Sequence, residues 1–438
     1  MLRRLMTATA LACLTLPAAT LSAQTESVAQ QSGQEDASVL QARAEGVVAV
    51  LKGEANAAEV FAPSFLAEVP AERLRALASQ LAGQFGTLQR LDSVTQAPDG
   101  SSIIAIRFEN ALAKGPISLG AAPGFLVQGL LINVVQTIDD SAEAIFTDLA
   151  ALPGEVGVLF APLEGGLDPI LALNADQQFA IGSTFKLYIL SALARQIEAG
   201  ERKWSDVVEL DRKSFPSGRM QTWPKDAPVT LHTLATMMIS ISDNTATDRL
   251  LRVVGREMVE AELIDSGNSS PDRTLPFLST LEMFALKGSE PNLRKYEAAS
   301  EEDQRRILAD FEDDTGGDRN LITPPTFTEP LAIDTVEWFA SGEDLRKLGV
   351  LLAEFEDPTA REIMAVSPAM GEPSRDKWAY VGYKGGSEPG VLNLTWLLQD
   401  KAGVWHVLAM SWNNSDATVD QTKFELLAQR ILALASEE

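Results

Sequence analysis

The chain has 438 residues, enough for two domains, and 45% of them are apolar, enough to build cores. Its formal net charge of −25 argues against nucleic-acid binding and against docking on anionic lipid, although the field inside a single cleft can oppose it. Two histidines and one cysteine leave no usual set of zinc ligands, so neither a metal nor a cofactor is expected.

The first residues have the pattern of a secretory signal. Arg3 and Arg4 supply a charged start, Leu5 to Leu16 are mostly apolar, and small residues lead to a cleavage point after Ala23. A signal peptide over 1–23 implies a periplasmic or secreted protein. Cys13 lies inside it, and Ala10 does not fit a lipobox, so a soluble exported chain without disulfides is expected rather than a lipoprotein. No later apolar run is long enough to span a bilayer as a helix. Residues 24–38, rich in Gln, Ser and Glu, read as a linker.

Three helix-like stretches follow: Val39 to Lys52, Ala57 to Val69 broken at Pro63, and Ala71 to Leu81 with Leu74, Leu77, Ala78 and Leu81 on one stripe. Leu88 to Thr95 and Ser102 to Phe108 read as strands flanking a Pro98-Asp99-Gly100 turn, and Phe125 to Gln136 as a further strand. Helices followed by a meander imply a small α+β domain over 39–138. Its pattern resembles the cone-shaped folds of nuclear transport factor 2 (NTF2) and ketosteroid isomerase, in which a curved sheet wraps around helices. No acid/base pair supports isomerase chemistry, so a docking or substrate-shaping accessory domain is expected.

A second domain is expected over 141–438. Ile145 to Ala151 reads as a short helix, and Val156 to Phe160 with Ile170 to Asn174 as a hairpin. A helix is expected from about Ser183. Val229 to Ser240, with Thr230 as N-cap, and Asn244 to Val254 read as helices. The region from Ser266 to Leu331 is extended and acidic, with Glu301 to Phe311 helical. Tyr380 to Lys384, Leu392 to Gln399 and Val404 to Ser411 read as strands, and Lys423 to Ser436 as the last helix.

The chemistry gathers in three motifs. Gly182-Ser183-Thr184-Phe185-Lys186 follows a strand-like run and opens a helix, so Ser183 and Lys186 share one face. A serine needs an adjacent base to become a nucleophile, and a desolvated lysine is such a base. The helix N-terminus adds amides for an oxyanion. Ser242-Asp243-Asn244 and Lys384-Gly385-Gly386 come later in the chain. This ordered set resembles the signature of active-site serine β-lactamases and penicillin-binding proteins.

That resemblance covers 141–438 and implies an antiparallel sheet flanked by helices, with a helical lobe across the cleft. It implies that Ser183 forms an acyl-enzyme with Lys186 as base, and that Ser242 relays a proton to the leaving group. Asn244 would hold a substrate carbonyl, and Lys384 would face a substrate carboxylate. Gly386 would let the strand approach a ligand, and the amides of Ser387 and Ser183 would form the oxyanion hole. Asp243 is expected to shape its loop rather than react. Phe215-Pro216-Ser217-Gly218 and Trp223-Pro224 fall where the family has a cleft wall, making Trp223 a candidate substrate contact.

Two departures bear on turnover. Gly385 replaces a threonine often found after the lysine. The class A deacylation glutamate has only Glu290, in Glu290-Pro291-Asn292-Leu293, as a weak counterpart, so slow or atypical turnover is expected. With the two-domain layout, these features resemble the β-lactamase-like hydrolases related to a clavulanic acid biosynthesis protein. The resulting expectation is an exported, monomeric hydrolase acting on a small β-lactam or related ester or amide. A penicillin-binding-type D-Ala-D-Ala peptidase, a non-catalytic small-ligand binder and a Ser-His-Asp mechanism through His406 (His232 lying on a helix) are the alternatives.

Overall fold

The structure, a computed structural model, describes residues 38–96, 101–121, 124–138, 141–326 and 328–434. The signal-peptide segment with Cys13, the linker before Ser38 and the Pro98-Asp99-Gly100 turn lie outside the described residues. The chain divides into two compact units, Met1–Asn133 and Val134–Glu438. Among the described residues no helix is long and apolar enough to cross a membrane.

The first unit begins with helices α1 (38–52), α2 (Ala57–Val60), α3 (Pro63–Glu68) and α4 (Ala71–Phe85). Pro63 breaks the second predicted helix by starting α3, where its missing N–H costs nothing. Helix α4 buries Leu74, Ala78, Leu81 and Phe85, while Leu77, at the margin of the stripe, is 38% exposed. Strands β1 (Leu88–Gln96), β2 (Ser102–Phe108), β3 (Ala111–Leu119) and β4 (Val127–Leu130) pair antiparallel in that order.

Strand β3 was not anticipated, since Gly115 and Pro116 argue against a strand interior. Both are explained by the neighbouring chain. A Cβ on Gly115 would sit 1.7 Å from the Leu131 carbonyl oxygen, and the Pro116 carbonyl accepts a hydrogen bond from the Leu131 N–H. Pro116 has no N–H with which to continue the ladder, and the single strand expected over Phe125 to Gln136 is interrupted after Leu130. This unit holds a cleft of about 1320 Å³ lined by Phe65, Glu68, Val94, Ile117 and Gln128 among others.

The second unit opens with β5 (Val134–Thr137), α5 (Ala142–Ala150), β6 (Glu155–Pro162), β7 (Leu171–Leu173) and β8 (Phe179–Ala180). Its helical part contains α6 (Lys186–Glu198), the two-stranded β9 (Val207–Glu209) and β10 (Pro228–Thr230), α7 (Leu231–Ser240), α8 (Asn244–Val254) and α9 (Arg256–Asp265). It continues through α10 (Thr280–Lys287), α11 (Glu290–Glu297), α12 (Glu301–Thr315), β11 (Phe339–Ala340), α13 (Gly342–Glu354), α14 (Thr359–Ala365) and α15 (Glu372–Arg375). Strands β12 (Tyr380–Glu388), β13 (Val391–Gln399) and β14 (Trp405–Asn413) precede the last helix, α16 (Gln421–Leu434).

The main sheet is antiparallel in the order β12-β13-β14-β6-β7, so it joins strands from the two ends of the unit. Strands β13 and β14 are buried along almost their whole length, which explains their continuous apolar sequences: both faces are covered. On one face Leu394, Leu408 and Met410 pack with Ile145 and Leu149 of α5 and Phe424, Leu427 and Ile431 of α16. On the other, Leu159, Leu397 and Ala409 pack with α6 and α13. Helix α6 is buried all round from Lys186 to Ala194, as befits a central helix.

The strand that leads into the Ser183 motif is fastened by one side chain. Asn413 Oδ1 accepts from the Ala180 N–H at 2.8 Å, and its Nδ2 donates to the Ala180 carbonyl at 3.0 Å. Both groups are buried. Asn413→Ala leaves a donor and an acceptor unpaired and is expected to cost about 2–5 kcal/mol, which urea unfolding measures.

Candidate active site

Gly182, at φ +46°, turns the chain out of β8 into a single 3₁₀ turn, Gly182–Phe185, ahead of α6. The helix expected from Ser183 therefore starts at Lys186. Strand β12 is the sheet edge and lies against this turn. A Cβ on Gly386 would come 2.1 Å from the Ile181 carbonyl oxygen and 2.4 Å from the Ser183 nitrogen, so only glycine fits. A Cβ on Gly182 would lie 3.0 Å from the Ser387 nitrogen. Glu388 pairs with Val391 across a two-residue turn, which makes Ser387 opposite Leu392 a non-hydrogen-bonded position. Its N–H therefore points off the sheet edge, towards the Ser183 turn.

The Ser242-Asp243-Asn244 loop joins α7 to α8. The predicted N-cap Thr230 accepts from the Thr233 N–H and starts α7, and Asp243 accepts from the Ala246 N–H and starts α8. The fully buried Asp243 carboxylate also accepts from the N–H groups of Arg219 at 2.5 Å and Met220 at 2.7 Å. A Cβ on Gly218 would collide with that carboxylate at 2.2 Å. Asp243 thus ties the Phe215–Gly218 segment to the loop. Ser242 sits at φ +56°, a left-handed conformation that costs a non-glycine residue about 1–2 kcal/mol. Its carbonyl is held by Lys186 Nζ at 2.8 Å and Ser217 Oγ at 2.5 Å.

Two lysines converge on Ser242. Lys186 Nζ donates to Ser242 Oγ at 3.0 Å and to Asn244 Oδ1 at 2.8 Å. Lys384 Nζ donates to the same Ser242 Oγ at 3.1 Å and to the Gly385 carbonyl. Neither forms an ion pair among the described residues. Burial, then the charge of Lys384, drives the Lys186 amine well below its usual range, against the opposing pull of Asp248 and Asp243. Burial lowers Lys384 to about 7. The expected direct bond from Lys186 to the Ser183 hydroxyl is not formed: the amine is taken by three fixed acceptors on the neighbouring loop. Such contacts often tighten only when substrate is present.

Ser183 lies in a pocket of about 230 Å³ lined also by Ser217, Asn244, Thr280 and Ser387, with apolar walls from Phe185, Met283, Phe284 and Trp338. Glu337 and Glu388 line it too, bridged by the buried Lys287, whose Nζ lies 3.2 Å and 2.5 Å from their Oε1 atoms. None of these three was anticipated. For Glu388 a signal existed, because residues 384, 386 and 388 share one face of β12. Nothing local marks Glu337 or Lys287.

Other candidates fall elsewhere. Trp223 packs on the core and does not line this pocket. Glu290 opens α11 on the surface, its side chain 72% exposed and paired with Arg294. His232 lies against Trp204, and His406 pairs with Asp400 at 3.2 Å beside Trp378 and Phe160, so neither joins Ser183. At Gly385, a Cβ would sit 2.2 Å from the Tyr383 hydroxyl, so that tyrosine occupies the space of the missing threonine side chain.

A serine on a tight turn, two buried amines and an edge-strand amide are groups that acyl transfer chemistry can use. Residues 138–317 match the model of Beta-lactamase2, the β-lactamase enzyme family. The matched residues all lie in the second unit, which is thus similar to that family over part of its length. No curated protein matches the chain. Among solved structures, a β-lactamase from Sphaerobacter thermophilus DSM 20745 is 22% identical, covering 67% of this chain and 94% of its own, with a TM-score of 0.46. PBP-A is 17% identical, covering 68% and 94%, with a TM-score of 0.46. A β-lactamase from Chitinophaga pinensis DSM 2588 is 18% identical, covering 67% and 97%, with a TM-score of 0.44.

Gly386→Ala forces β12 away from the Ser183 turn and separates the two amides. Acylation of Ser183 is expected to fall by about 10²-fold or more, with far-UV circular dichroism unchanged; stopped-flow acylation rates check it.

Proposed function

We propose that this protein is an exported serine hydrolase that forms an acyl-enzyme through Ser183, acting on a β-lactam or a related ester or amide with weak or atypical β-lactamase turnover. The observation that carries this reading is the convergence of Lys186 and Lys384 on the Ser242 hydroxyl, with Lys186 also bonded to Asn244, which lines the pocket of Ser183. Lys186, its pKa lowered by burial, takes the Ser183 proton in its unprotonated form as Oγ attacks the substrate carbonyl carbon. The oxyanion that forms meets the Ser183 and Ser387 amides. Ser242, hydrogen-bonded to Lys186, passes the proton to the departing nitrogen or oxygen. Asn244 binds a substrate carbonyl, and protonated Lys384 attracts a carboxylate. The exposed, paired state of Glu290 supports slow deacylation by any route through that residue.

The α+β make-up of the first unit supports an NTF2-like accessory role in docking or shaping substrate. The segment 1–23 supports export to the periplasm or beyond, and one small-molecule substrate with a monomeric enzyme completes the reading.

Intact-protein mass after mixing with a chromogenic cephalosporin, a penicillin or an aryl ester tests it. The wild type is expected to show an acyl adduct that Ser183→Ala lacks; an identical adduct pattern in both would refute the reading. Lys186→Met is expected to slow adduct formation by about 10²–10⁴-fold.

Lys384 adds a pH dependence. Its folded pKa of about 7 lies below its ordinary value of 10.5, so between those values the unfolded chain binds more protons than the folded one. Stability therefore rises with pH across that window. From pH 6 to 9 the wild type should gain about 2 kcal/mol relative to Lys384→Met, measured by urea unfolding of both proteins at each pH.

A further inference from the structure

The pocket that holds Ser183 contains two carboxyl groups, and they are not equivalent. Both oxygens of Glu337 have donors: Oε1 accepts from Lys287 Nζ at 3.2 Å and Oε2 from the Trp338 N–H at 3.3 Å. Glu388 Oε1 also accepts from Lys287 Nζ, at 2.5 Å, but its Oε2 is buried and has no hydrogen-bond partner. The Glu388 side chain is 8% exposed. A buried carboxyl oxygen without a donor is costly unless something else satisfies it.

Strand periodicity fixes the direction of this side chain. Lys384, Gly386 and Glu388 lie on one face of β12, and the Cβ direction of Gly386 runs into the Ser183 nitrogen. Glu388 thus projects on the Ser183 side of the sheet, immediately after the Ser387 amide. Lys287, at the end of α10, and Glu337, just before β11, hold it there.

We propose that Glu388 is the general base that activates water to release the acyl group from Ser183. This inference rests on the acyl-enzyme reading above. In the step, the Glu388 carboxylate takes a proton from a water molecule as the water oxygen bonds to the acyl carbonyl carbon. The tetrahedral intermediate then collapses: the bond from carbon to Ser183 Oγ breaks, the acid departs, and Oγ recovers a proton from Glu388. The base regenerates without any co-reactant.

The charged groups facing Glu388 are Glu337, Lys287 and, along its own strand face, Lys384. Burial first, then the Glu337 charge, raises Glu388 well above the ordinary carboxylate range, and Lys287 only partly opposes this. Burial would lower Lys287, but the two carboxylates together hold it above its usual value, so it remains a cation. The shift moves ionisation of Glu388 to higher pH, and deacylation should rise with pH as it ionises.

The test measures release of an acetyl group placed on Ser183 by p-nitrophenyl acetate, followed by quenched mass spectrometry from pH 5 to 9, with Ser183→Ala as the background. The wild type should release acetyl faster as pH rises. Glu388→Gln should lose that rise and hold the adduct about 10²-fold longer or more. Glu337→Gln removes the charge that opposes ionisation and should move the rise to lower pH, which keeps the test informative if Glu388→Gln folds poorly. An adduct released at the wild-type rate by Glu388→Gln, or a profile unmoved in Glu337→Gln, overturns the assignment; a purely structural triad would lower Tm and leave both profiles alone. Absence of any Ser183 adduct in the wild type sinks the hydrolase reading itself, and the base with it.

Discussion

Two buried lysine amines sharing one serine hydroxyl are the constraint around which this site is built. An isolated buried ammonium is expensive, and neither Lys186 nor Lys384 has a carboxylate in ion-pair reach among the described residues. Both are pushed down in pKa by burial. That arrangement suits a base better than a salt bridge would, because a paired lysine stays charged and cannot take a proton. The acceptors that fix Lys186 come from one short loop, and that loop is held in a left-handed turn at Ser242. The fully buried Asp243 directs its charge onto backbone amides instead, and so stabilises the strained backbone on which the amines depend.

Lys287 makes the contrast plain. It is as buried as Lys186, yet it stands above its ordinary pKa, because two carboxylates face it. One residue type is thus pushed down in pKa at Lys186 and up at Lys287. The difference lies entirely in the neighbours that the fold supplies: a hydroxyl, an amide and a carbonyl for the first, Glu337 and Glu388 for the second. The same logic separates the two glutamates, since Glu337 has donors at both oxygens and Glu388 at one.

Backbone proximity matters as much as charge. The edge of the sheet reaches the Ser183 turn because positions 182 and 386 carry no side chain. Asn413 anchors the short strand before that turn to β14, so the turn is fixed to the best-buried part of the sheet. A site assembled in this way places two amides by strand register and turn geometry, with little left to side-chain adjustment.

The order of the three motifs, the strands at both ends of the unit, the Thr230 cap and half of the helices of the second unit (α5, α6, α7, α8, α12 and α16) were legible in the sequence, because each rests on local rules of capping, periodicity and turn chemistry. Strand β3 was not, because its Gly115 and Pro116 are justified only by the chain running beside them. The candidate nucleophile and both lysines could be named from their motifs, but not the partners of Lys186. A 3₁₀ turn in place of the first helical turn sends its amine to the Ser242 loop. Trp223 and Glu290 were proposed from motif likeness, and their burial and pairing depend on packing that no local pattern encodes. The Glu337–Lys287–Glu388 group comes from three distant elements. Sequence could determine the chemistry available at each position, whereas only tertiary structure could decide which groups meet out of water, and it is that meeting that sets their protonation.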